Sequence, residues 1–91
     1  MPTIISPHIS EDEFDAFFSL LRHDLRFPLA YAEWIVQLRH VDALHISEGD
    51  VLKEVLIHPT EFENWNHANS EKASVSRLYE FAIQKDWKTM H

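Results

Sequence analysis

Cysteine is absent from this chain, and glycine occurs once, at Gly49. The first absence removes disulfides, thiolate metal ligands and a cysteine nucleophile. The second removes the glycine-rich loops that cradle phosphate and the Gly-x-Ser-x-Gly elbow that presents a nucleophilic serine. Asn-Gly and Asp-Gly pairs, the strongest signals of a tight hairpin, are missing too. No run approaches the ~20 apolar residues of a membrane span. The segment Met1–Pro7 has neither the basic start nor the apolar core of a secretory leader. Small secreted domains often depend on disulfides, so a cytoplasmic location is expected. Positive charge is also scarce. Eight Lys and Arg stand against 15 Asp and Glu, giving a net charge of −7 with histidine neutral. That excess opposes binding to phosphate backbones, which requires Lys and Arg to displace counterions. Direct nucleic-acid and membrane contacts are therefore not expected.

What remains is a chain rich in material for a core. Its 91 residues suit one domain. They include six Phe, three Trp and two Tyr, and each such side chain can bury about 150–250 Å². The patterning is helical. Ser10 and Glu13 read as a capping box, flanked by Ile9 and Phe14 as a hydrophobic staple. Phe14, Phe17, Phe18 and Leu21 follow at helical spacing with Leu25 extending the stripe, which predicts a helix from Glu11 to about His23. Pro28 suits the first position of a second helix. That helix is apolar on most of its circumference through Leu38, which predicts a central element. Val41, Ala43, Leu44 and Ile46, its last turn or a connector, are expected to pack. Glu33 is expected to be buried and paired with an arginine, and Asp24 to pair with a neighbouring Arg22 or Arg26.

Ser47 with Asp50 repeats the cap pattern and predicts a third helix over Val51–Ile57, stopped by Pro59. Thr60 with Glu63 predicts a short fourth helix carrying Phe62 and Trp65. A last helix is expected from Asn69 or Ser70, with a stripe of Val75, Leu78, Tyr79, Ala82 and Ile83, closed by Trp87. The expected fold is all-α, a compact bundle of four to five short helices in orthogonal or irregular packing. Residues 1–91 form a single helical domain, with residues 1–9 as an extended N-terminal tail.

Candidate chemistry is sparse. Seven histidines occur, at positions 8, 23, 40, 45, 58, 67 and 91, and no two stand at the i, i+4 spacing of a zinc helix. Glu63 and His67 share a helical spacing with His58 nearby, which outlines a histidine-based metal-responsive reading. The expectation is nevertheless no metal, no cofactor and no enzymatic activity. A helix-turn-helix reading is opposed by charge, because Asp42 to Glu63 holds six acids and one base, Lys53.

The distribution of acid is more informative. Glu11, Asp12, Glu13 and Asp15 come with no base between them. If this segment lies beside the acidic stretch ending at Glu63, the two form one negative face. The sequence thus predicts a small acidic protein-binding module or inhibitor. It would dock on a basic protein such as a nuclease or another nucleic-acid-binding protein. The candidate partner-binding residues are Glu48, Asp50, Glu54, Glu61, Glu63 and Trp65, with Phe62, Trp65 and Tyr79 as aromatic anchors. In size, acidity and expected helix content the chain resembles, in physical type, bacterial nuclease-toxin immunity proteins and phage-encoded inhibitors. The Tyr-Tyr-Pro motif of the colicin DNase immunity proteins is absent, so no residue role carries over. A self-associating assembly module, a homo-oligomer, is the alternative.

Overall fold

The computed structural model describes residues 3–68 and 72–90. The chain runs through β1 (Thr3–His8), a 3-10 turn (Glu11–Glu13), α1 (Phe14–Leu21), α2 (Tyr31–Ser47), β2 (Val51–Leu56), α3 (Pro59–Ala68) and α4 (Val75–Met90). The expected all-α bundle is overturned. Two strands pair in parallel, from Thr3 opposite Val51 to His8 opposite Leu56, so the fold is mixed α/β. Parallel strands need a crossover of a dozen residues or more, and α1 and α2 supply it. The supposed tail of residues 1–9 is therefore a strand over Thr3–His8, followed by Ile9 in the core. Met1 and Pro2, like Asn69, Ser70 and His91, lie outside the described residues.

The expected third helix failed at Gly49. This residue has φ 87°, a left-handed conformation that glycine adopts at little cost. Its N–H donates to Ile46 O, and the Asp50 N–H donates to His45 O, which is the bond pair of a Schellman turn. Gly49 thus ends the preceding helix. Ser47 is the last residue of α2, and its hydroxyl donates back to Leu44 O at 2.7 Å instead of capping a new helix. Six residues then remain before Ile57, too few for a stable helix, and they pair with β1. Pro59 in turn opens α3. His58 precedes it, and the Glu61 carboxylate accepts the His58 backbone N–H at 2.7 Å, as a residue at the third helical position does in a capping box.

At the first predicted helix start the box does not form. Ser10 Oγ bonds Glu13 Oε1 at 3.3 Å, and the turn is 3-10 up to Phe14. Ile9 and Phe14, the predicted staple, both join the core. Phe14 stacks on Phe27 at 5.2 Å between centroids, and Phe27 lies 5.4 Å from Trp34. Phe17 meets Phe62 at 6.1 Å, which in turn touches Trp65 and Phe81. α1 thereby joins two aromatic groups, one towards α2 and one between α3 and α4.

α4 begins at Val75, not at Asn69 or Ser70. Ser74 Oγ accepts the Arg77 N–H at 3.2 Å, and Asp24, 51 residues away in sequence, accepts the Val75 N–H at 2.8 Å. The Val75 bond, aided by Arg26, holds the Asp24 carboxyl below the usual range against the opposing effect of burial. The expected pairing with Arg26 is present at 3.3 Å, and capping of a distant helix is the further role.

α2 departs most from expectation. Only Trp34 and Leu38 are buried along it. Glu33 is exposed and has no partner among the described residues, against the predicted buried pair. Val36 is 68% exposed, and Leu44 and Ile46 are exposed as well. Leu25, Ile83 and Trp87, assigned to buried stripes, also face solvent. The helix packs against the β1–β2 pair and buries one row only.

Candidate interaction surface

The two acidic segments meet. The exit of β2 carries His58 to the end of the 3-10 turn, just before α1, where its Nδ1–H donates to Glu13 Oε1 at 2.8 Å. The same residue's backbone N–H is held by Glu61, so one histidine clamps both segments. Beneath them Phe17 of α1 packs on Phe62 of α3, which fixes the two helix starts side by side. Partly exposed ion pairs contribute about 0.2–1 kcal/mol, so the apolar contact below provides more of the rigidity. Lys85 reaches from α4 to Glu61 at 2.7 Å. Glu11, Asp12, Asp15 and Glu63 are exposed and have no partner among the described residues. The position of Glu11, Asp12 and Asp15 in first turns is itself favourable, because the helix dipole stabilises anions there.

The six candidate residues do not form one site. Glu61 and Glu63 belong to this acidic end. Glu48 and Asp50 stand at the far end of β2, a strand length of about 20 Å away. Glu54 lies on β2 between them, 3.8 Å from His8 Nε2. Trp65 is turned into the structure. Its ring lies 5.3 Å from Phe81 and under the Arg77 guanidinium, and its indole N–H donates to Gln84 at 3.0 Å. Phe62 is fully buried. Tyr79 is half-buried, and burial, reinforced by the Asp42 charge, pushes its phenol pKa upward. The aromatics singled out as anchors therefore serve the core. Glu11, Asp12 and Asp15 take their place at the surface, and the signal for them was the run of acids without a base.

The His58, Glu63 and His67 set outlined by spacing is not assembled among the described residues, since His58 is bonded to Glu13 and not to Glu63 or His67. Among the described residues a different set converges. One ligand atom each from His45, Glu48 and Asp50 lies within 4.8 Å of the others. The Schellman turn alone accounts for that approach, and His45 Nδ1 already bonds Asp50 Oδ2 at 3.1 Å.

A serine, a histidine and an aspartate also meet where β1 faces α2. Ser6 Oγ donates to both carboxylate oxygens of Asp42, at 3.0 and 3.1 Å, while His8 Nε2 lies 3.3 Å from the same oxygen. The order is wrong for nucleophilic catalysis, in which the imidazole stands between serine and carboxylate and takes the serine proton. Here the carboxylate holds that proton, so His8 can only donate. Ser6 is 1% exposed, out of reach of a substrate. The group ties β1 to α2.

Comparison of the chain with protein-family models, with curated proteins and with solved structures gives no match.

Proposed function

We propose that this chain is a non-enzymatic protein-binding module that docks a basic protein surface through its acidic end. The observation that supports this reading is the convergence of Glu11–Asp15 with Glu61 and Glu63 around His58. Segments 45 residues apart are joined into one negative region, and four of its carboxylates are left to solvent. A rigid set of unpaired charges accelerates encounter with an oppositely charged surface. The protein would act by covering that surface, and a nuclease or another nucleic-acid-binding protein is the class of partner whose working face is basic. With the aromatic rings drawn inward, charge supplies most of the recognition.

The test is affinity capture from host lysate at low and high salt, with wild-type protein and with a variant carrying Glu11→Gln, Asp12→Asn, Asp15→Asn and Glu63→Gln. A basic protein retained at low salt by wild type alone, and shed at high salt, is the expected result. Equal retention of the same protein by the variant would remove the acidic end from the account.

A further inference from the structure

The outer face of α2 makes no core contact. Ala32, Val36, Arg39, Ala43 and Ile46 succeed one another at spacings of four, three, four and three, and all five are exposed. This is heptad spacing, the pattern of a helix seated along another helix. The helix has 17 residues, which gives a docking edge about 25 Å long. The core is served by a different row, Tyr31, Trp34, Ile35 and Leu38. α2 therefore carries two rows, one apolar and covered by the chain, the other apolar except for Arg39 and uncovered.

Charge indicates what covers the other. The chain carries −7, yet this face is balanced, with Glu33 against Arg39. The other acid of α2, Asp42, is bonded to Ser6. Neither Glu33 nor Arg39 has a hydrogen-bond or ion-pair partner among the described residues. A basic partner gains nothing from a neutral face, whereas a second copy of an acidic chain meets little net repulsion there. The order of the charges selects the direction. A parallel pair would set Glu33 near Glu33 and Arg39 near Arg39. A two-fold antiparallel pair sets Ala32 opposite the partner's Ala43 and Val36 opposite the partner's Arg39. Glu33 then comes within reach of the partner's Arg39, and symmetry makes each contact twice. The alanines let the backbones approach closely.

We infer that the chain forms a two-fold homodimer through antiparallel packing of α2 on the α2 of a second copy. None of the carboxylates of the acidic end takes part, so this dimer and the docking reading stand or fall separately.

Sedimentation equilibrium of the full chain over a concentration series tests it. The fitted mass should rise reversibly to twice that of the monomer. Val36→Glu should weaken the dimer by tenfold or more (roughly, as for a charge placed in an apolar contact) with circular dichroism unchanged, and with melting unchanged at dilutions where both proteins are monomeric, because Val36 is exposed within one chain. Glu33→Arg and Arg39→Glu should each weaken it about tenfold, and the two together should recover most of the loss, since each reversal restores what the other breaks. A monomer at every concentration would overturn the inference. So would a dimer indifferent to Val36→Glu, or a double reversal weaker than either single one.

Discussion

α2 and α4 are nearly equal in length, yet the chain holds them by unequal means. α4 buries Val75, Leu78, Phe81 and Ala82. It is capped by Ser74 and Asp24, and Lys53–Asp86 and Lys85–Glu61 tie it to β2 and α3. α2 buries Trp34 and Leu38, follows Ala30 with no side-chain cap, and leaves outside a row of four apolar residues broken by Arg39. Its apolar composition therefore does not measure its burial. A helix with one apolar stripe is spoken for by its own core, and a helix with two has one to offer.

The contrast can be broken at the core first. Leu78 is fully buried, and Leu78→Ala should cost about 2–5 kcal/mol, enough to threaten folding of so small a chain. Urea or thermal unfolding gives the value, and a loss near zero would mean that α4 is not the anchored helix. Asp24 gives an intermediate effect. Asp24→Asn should cost about 1 kcal/mol at neutral pH, as loss of a cap usually does. The pH dependence sharpens this. The folded carboxyl is held below its unfolded value of about 3.9, chiefly by the Val75 N–H. Its stabilisation is therefore complete above that value and is lost as pH falls through the lower folded one. The wild-type and Asn stability curves should be separated at neutral pH and converge in acid. Parallel curves would mean that the charge on Asp24 contributes nothing. Val36→Ala should have the smallest effect, within about 0.5 kcal/mol in dilute solution, because it deletes exposed surface. A loss above 1 kcal/mol or so would place Val36 in a contact within the chain.

The legible parts of the sequence were those governed by local rules. The apolar face of α1 from Phe14 to Leu21 and, in α4, Val75, Leu78 and Ala82 follow from 3.6-residue spacing, whereas Phe81 was missed and Ile83 and Trp87 face solvent; Ile9 with Phe14 marks the entry to α1 by a staple pattern. The misread parts were those where one residue serves two rules. Ser47 followed by Asp50 looks like a helix start, while Gly49 between them is a helix stop, and the positive φ decides for the stop. Pro59 can forbid the helix before it or begin the one after it, and here it begins α3. Val51, Leu52, Val55 and Leu56 satisfy a helical period about as well as a strand. Only the distant partner β1, with Ile4 opposite Leu52 and Pro7 opposite Val55, resolves the choice. The acidic end was half legible. The two charged segments were visible in the sequence, and their meeting through His58 is a tertiary contact that no local pattern encodes.

The central claim is that charge at this end brings a basic partner in. The most direct measurement is the association rate of the captured partner as a function of salt, for wild type and for the variant neutralised at Glu11, Asp12, Asp15 and Glu63. The account predicts a steep fall of the wild-type rate with rising salt and a markedly flatter dependence for the variant. Superimposable salt dependences would contradict it, because the partner would then be recognised through some other face of the molecule.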